Sequence, residues 1–448
     1  MEKQHLIFFD FLRFCIGSDS EIPSSLKEAD WKELYAIAKK QCIVGVLFDG
    51  IKKLPAEHVE IMEKELLLRW MAESQMLEKA NVRLNDAAIQ VTEWFRKKGF
   101  RTCILKGQGN ALMYPNPYSR TPGDIDIWVE GGDKRVISFV RSILPHEKAC
   151  YHHIEFPSYK GVEVEVHYRP SFLLCFWHDR KLQKYYERVK EEQFSHRVML
   201  GEQEEVAIPT AEFNLIFQLT HIYAHLMNEG IGLRQLLDYY YVLCDFYKVY
   251  QNFSNPSVSL SKGSSTFSPS PSSSGSGDVT ALRCSEPLRS KDGGPSKVSP
   301  DCAGWDRQDG SGDTTSACSL DAGSSSFSAC SSVALDVVQR ELKHLGLWKF
   351  AGAVMYVMKE VFGLSEDRMI APMDEREGRF LLDEIMRGGN FGQYDDRMGS
   401  KVGESKIHRY FRMNLRNLRF VKHYPTEALS EPLFRTWFAV WKKIHGIK

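Results

Sequence analysis

The sequence predicts an α+β fold in which a small mixed sheet is flanked by N- and C-terminal helical regions. Apolar residues recur at three-to-four spacing before residue 98 and after 209, as in Trp31, Leu34, Ile37 and Ala38 or Leu66, Leu67, Trp70 and Met71. Between those regions lie two segments of period two, Asp124-Ile-Asp-Ile-Trp-Val129 and Val162-Glu-Val-Glu-Val-His-Tyr168. A helical stretch near 133–143 separates them, which marks a compact α/β unit.

In chain order, residues 1–84 read as an N-terminal helical region and 85–200 as the core that carries the sheet. Its first strand is Arg101-Thr-Cys-Ile-Leu-Lys106, closed by Gly107. Residues 201–253 are helical again. Residues 254–332 are dominated by Ser, Gly, Pro, Asp and Thr and show no apolar periodicity. Such a tract buries too little apolar surface to offset the entropy of ordering it, so it reads as a disordered insertion. Helical periodicity resumes at Val333 and continues through 448, which places the insertion within one helical domain. Cys284, Cys302, Cys318 and Cys330 lie in the tract at irregular spacing and read as unpaired thiols.

Composition narrows the class further. Hydrophobic residues at 43% suffice for a substantial core. Lys+Arg and Asp+Glu both number 58, which argues against a surface built wholly to hold a polyanion. No transmembrane segment is expected, because no stretch reaches the roughly 20 apolar residues a spanning helix needs. The apolar run Leu6–Phe9 is cut short by Asp10 and Arg13, unlike a secretory signal. Cys15, Cys42, Cys103 and Cys244 sit among apolar residues, and the chain has no CxxC pair. Reduced core thiols and a cytoplasmic location are the expectation.

The chemistry-bearing residues lie on the alternating segments. Asp124 and Asp126 are two apart on a strand, so both side chains leave one face. Glu163 and Glu165 repeat that spacing on a second strand. Carboxylates from two neighbouring strands can converge on hard cations, which take oxygen ligands, and such a set suits two-metal phosphoryl transfer. Alternation alone also creates acidic strand faces, so the surroundings matter. Gly107-Gln108-Gly109 follows a strand and precedes a helical turn, where backbone N–H groups can receive phosphate oxygens. Lys106 and Arg120 flank that loop with positive charge.

These segments, in this order, resemble a known family. Leu105-Lys106-Gly107, Arg120-Thr-Pro-Gly-Asp124-Ile-Asp126-Ile-Trp-Val129 and Glu165-Val-His167 are similar to the bacterial uncharacterised nucleotidyltransferases of the polymerase-β-like superfamily. His221-x-x-x-His225 with Leu233-Arg234-Gln-Leu-Leu-Asp238, and Met386-Arg-Gly-Gly-Asn-Phe-Gly392, resemble that group too. The resemblance implies transfer of a nucleoside monophosphate from an NTP to a hydroxyl of an unknown acceptor, with release of pyrophosphate. A small molecule, a protein or an RNA would serve as acceptor. It implies Asp124, Asp126 and Glu165 as catalytic residues and metal ligands for two Mg²⁺ ions, with Mn²⁺ as the alternative. Glu165 is preferred to Glu163 because it directly precedes the Val-His pair, and it would also accept the acceptor's proton. Gly107 would be the phosphate-loop glycine, with Lys106, Gln108 and Arg120 also binding the nucleotide.

The sequence departs from the superfamily in carrying Gly107-Gln108 instead of Gly-Ser or Gly-Gly, and in a longer loop to the first Asp. That departure supports a rival reading, a nucleotide- or partner-binding protein that keeps the fold without catalysis. A second rival is a carboxylate-pair hydrolase, which needs no metal.

His221 and His225 lack the intervening Glu of a zinc protease, so a structural role on buried carbonyls or on Asp238 is expected. His152 and His153 read as edge positions, Arg234 and Asp238 as an i,i+4 pair, and Gly388–Gly392 as a turn joining helices. Arg409, Arg412, Arg416 and Arg419 fall on one helical stripe, predicting a basic face for a phosphate-bearing partner.

Overall fold

A computed structural model describes residues 2–201, 204–254, 328–395, 397 and 406–444. Cys284, Cys302 and Cys318, and the predicted insertion apart from Ser254 and the residues from Ser328 onward, lie outside the described residues. The described residues build one compact unit.

The N-terminal helices are α1 (Lys3–Ile16), α2 (Trp31–Lys40), α3 (Val44–Ile51), the single turn α4 (Ala56–Val59) and the long α5 (Lys64–Lys97). The Asp30 carboxylate accepts the Lys32 and Glu33 amides and so caps α2. The second half of α5 buries Leu84, Ala88, Val91 and Phe95, a three-to-four spacing that lays one stripe on the sheet.

Strand β1 (Thr102–Leu105) leads through α6 (Gly107–Ala111) to β2 (Ile125–Val129), followed by α7 (Gly132–Ile143), β3 (His153–Tyr159) and β4 (Val162–His167). The sheet order is β1-β2-β4-β3, with β2 and β4 parallel and the other pairs antiparallel. The mixed sheet is therefore as the sequence predicts. Ile104, Ile125, Ile127, Val164 and Val166 join the α5–α7 core, which turns the intervening acids to the opposite face. Register does the rest, because Asp126 lies directly beside Glu165 on the parallel neighbour.

Four elements of this region were not expected. Strand β3 carries Pro157 and a register shift between Phe156 and Tyr159, both tolerated because it is the edge strand. Helix α8 (Phe176–Ser195) follows the sheet, and β5 (Arg197–Leu200) pairs with β6 (Glu204–Ala207) in a separate hairpin.

The predicted helical stretch 209–250 is two helices, α9 (Ala211–Asn228) and α10 (Leu233–Ser254), broken at Glu229–Gly232. Gly230 adopts φ +117°, and a Cβ there would stand 3.0 Å from the Gly392 Cα, so the turn requires glycine. After Ser328 come α11 (Ser328–His344), α12 (Trp348–Phe362), α13 (Glu375–Gly388), α14 (Lys406–Val421) and α15 (Pro425–Ile444). Phe8, Leu34, Trp70, Leu219, Leu236, Val354, Leu381 and Phe420 share one core, so both ends of the chain close over the same apolar interior.

The basic stripe on α14 is corrected by this packing. Arg416 is 6% exposed and donates to the Leu226, Met227 and Asn228 carbonyls at the end of α9. Those carbonyls have no intrahelical donor, and a guanidinium also suits the negative end of a helix. Arg419 pairs with Glu384, whereas Leu415 and Leu418 point outward. Two of the four arginines thus serve the interior, and a phosphate-bearing partner for this helix is not supported. The Arg409 side chain lies outside the described residues. Among the described residues no helix is long and apolar enough to cross a membrane.

Candidate active site

Asp124 ends the loop before β2, Asp126 lies within β2, and Glu165 projects from the same face of β4. One oxygen from each of the three carboxylates lies within 4.8 Å of the others. Glu163 is exposed and stands outside this cluster. The three acids are extensively buried, which makes their mutual repulsion costly. Burial and the charges of Asp126 and Glu165 raise the Asp124 pKa to about 6.

Two cations face the carboxylates. Lys106 extends from the end of β1 to place Nζ 2.9 Å from Asp126 Oδ1, and the same nitrogen meets His221 Nε2 at 3.0 Å. Its backbone sits at φ 51°, ψ −141°, a sparsely populated conformation for a side-chain-bearing residue. His167 Nε2 donates to Asp126 Oδ1 at 2.9 Å and lies 3.6 Å from Glu165. Its Nδ1 donates to the Arg169 carbonyl. Burial opposes charging of this ring, but the bonds to Asp126 and Glu165 outweigh it and raise its pKa to about 9. Burial likewise works against ionisation of Asp126, yet Lys106 and His167 hold its carboxyl below the usual range.

Several sequence expectations change here. Glu165 was expected to take a proton. Burial opposes its charge, but the bond and charge of His167 together with the Lys106 charge hold its carboxyl well below the usual range. Arg120 was expected at the phosphates. It is 3% exposed and forms a two-pronged pair with Asp238, with Nε and Nη2 each 2.8 Å from a carboxylate oxygen. Gln108 is 3% exposed and hydrogen-bonds Asn85 on α5, which turns its amide into the scaffold. Gly107 has φ +45° and lies against the Asp124 carbonyl, but the helix it opens has only five residues. Lys106 alone of the four nucleotide-binding candidates reaches the carboxylates with its side chain.

Histidines missed as site residues enter instead. His153 on β3 lies opposite His167, and its Nδ1 is 3.4 Å from Glu165. Burial lowers its pKa to about 4, so this ring is neutral. His221 belongs with Lys106 and with His225, 2.9 Å away, and not with Asp238. Asp238 takes the Tyr114 hydroxyl at 2.6 Å and Arg120, so the expected Arg234–Asp238 pair does not form. The missed signal was register: His167 is two residues from Glu165, which fixes its face, but His153 could be placed only once β3 was known.

The donor set suits a divalent metal ion. Three converging carboxylates offer hard oxygen ligands, and a cation between them would relieve the repulsion that raises Asp124.

Residues 27–249 match the model of a family described as uncharacterised nucleotidyltransferase. No curated protein and no solved structure matches the chain.

Proposed function

Because the chain belongs over residues 27–249 to the uncharacterised nucleotidyltransferase family, we propose that it moves a nucleoside monophosphate from an NTP to a hydroxyl of an acceptor, releasing pyrophosphate. The observation that carries this reading is the convergence of Asp124, Asp126 and Glu165 on one sheet face. Those residues would hold two Mg²⁺ ions, with Mn²⁺ as the alternative. Such ions, when bound, lower the pKa of an attacking hydroxyl and neutralise charge on the phosphates.

The chain's own residues supply position and charge. His167 fixes the orientation of Asp126 through a charge-assisted bond. Lys106 keeps an ammonium beside the carboxylates, where an incoming triphosphate adds negative charge. The Asn110–Gln218 pair, joined by bonds of 3.0 and 2.7 Å, ties α6 to α9 and so steadies the loop that presents Lys106.

The test is incubation of the purified protein with each labelled NTP, Mg²⁺ or Mn²⁺, and cell extract, following pyrophosphate release and the labelled fraction. Asp126→Asn should abolish both signals while circular dichroism stays unchanged. Turnover that persists in Asp126→Asn, or with a chelator present, would refute this mechanism. NTP binding without pyrophosphate release across the extract fractions would favour the non-catalytic rival.

A further inference from the structure

Arg234 is a cation that the fold places and, among the described residues, leaves without a hydrogen-bond partner. It lies in the first turn of α10, with Nη2 so close to the chain before Asp124 that a Cβ on Gly123 would meet it at 2.9 Å. Glycine at 123 is what leaves room for the guanidinium. Among the described residues nothing accepts a hydrogen bond from Arg234, and its nitrogens still reach solvent. Asp238, one of two carboxylates that act on Arg234, accepts its hydrogen bonds from Arg120 and Tyr114.

Arg234 and Arg120 share Asp238, and Asp124 is a second carboxylate that favours the Arg234 charge, yet among the described residues no carboxylate oxygen hydrogen-bonds Arg234. The helix end worsens this for the side chain, since the first turn of the 22-residue α10 carries partial positive charge. Burial and the Arg120 charge both push against the Arg234 cation. A guanidinium does not relieve such a position by losing its proton. An anion would relieve it at once, and a phosphate oxygen pair matches the planar fork.

We propose that Arg234 binds a phosphate group of the nucleotide, replacing Arg120 in that role and reaching it across Gly123 beside Asp124. This rests on the nucleotidyl-transfer reading. It adds a ligand contact from α10, an element outside the sheet. The site then grips the substrate from two directions, with Lys106 on the β1 side and Arg234 on the α10 side.

The experiment is calorimetric titration of the full-length protein, Arg234→Gln and Arg234→Lys with inorganic pyrophosphate, an NTP and the matching nucleoside, each with Mg²⁺. Melting temperatures are recorded without ligand. Arg234→Gln should bind pyrophosphate and NTP about 10- to 100-fold more weakly, the range for a charged hydrogen bond, with nucleoside binding unchanged. Arg234→Lys should recover part of the loss. The ligand-free melting temperature of Arg234→Gln should stay the same or rise, because an unpaired buried charge has been removed. A fall in melting temperature with unchanged affinities would make Arg234 a structural residue and overturn the proposal. Wild-type protein that binds neither pyrophosphate nor NTP would overturn the nucleotidyl-transfer reading itself, and this inference with it.

Discussion

Asp238→Asn tests whether the scaffold beneath the site depends on one buried charge. Asp238 is 6% exposed and accepts three hydrogen bonds, two from Arg120 at 2.8 Å and one from Tyr114 at 2.6 Å. Asparagine keeps the shape but presents an NH₂ to donors, and it strips the carboxylate that is hydrogen-bonded to Arg120. Removing one partner of a buried ion pair costs about 3–5 kcal/mol. For a unit of this size the melting entropy is roughly 0.8 kcal/mol per degree, so the melting temperature should fall by about 4–6 °C. Differential scanning fluorimetry at pH 7 measures it. Burial opposes ionisation of Asp238, but Arg120 and Arg234 together with the bonds it accepts hold its folded pKa below the ordinary value. Its contribution is thus fully present above that ordinary value and is lost as pH falls through the folded one. The gap between wild type and variant should close on acidification. Arg120→Met/Asp238→Met should be less damaging than Asp238→Asn, since neither charge of the pair then remains. A loss below about 1 kcal/mol in Asp238→Asn, no larger than for an exposed pair, would refute the argument.

Lys106→Gly should be more stable than Lys106→Ala by about 1 kcal/mol or more, because φ 51° strains alanine and not glycine. Chemical denaturation checks the order, and a more stable alanine variant would show that the backbone there is unstrained. Glu377→Gln removes a carboxylate, 2% exposed, that takes His423 at 2.7 Å and Lys349 at 3.0 Å. Burial resists its charge, but those two partners lower its folded pKa, so its stabilisation is present near neutrality and is lost as pH falls. The variant should lose about 1.5–3 kcal/mol at pH 7 and converge on wild type in acid, as urea titrations at the two pH values would register.

Much of the sheet was legible because alternation and strand register are local. Ile125, Ile127, Val164 and Val166 announce which face is buried, and that fixes the acids on the other. Pairing partners were not legible. Arg120 and Arg234 are both arginines near the first carboxylate in space, and nothing in their sequence surroundings says which one Asp238 neutralises. The choice is made by α10 packing beside the loop, a contact of high sequence separation. Gln108 misled for a related reason: a glutamine beside glycines looks exposed until Asn85, 23 positions earlier, is seen to meet it. Strand β3 was hidden by its proline, and with it the place of His153.

The turn between α9 and α10 has a consequence for where this protein can be cut. Gly230 lies against Gly392, and the last carbonyls of α9 are held by Arg416, far beyond the family match that ends at 249. The stretch that carries shared ancestry is therefore not the stretch that folds. A fragment stopping near residue 255 keeps every proposed metal ligand, yet it bares Tyr223 of α9 and Tyr240 of α10, on which Phe350, Tyr424 and Phe362 pack. Such a fragment should aggregate, and adding back residues 328–448 as a separate chain should rescue it. The two ends would then behave as complementary halves, with activity appearing only on their association.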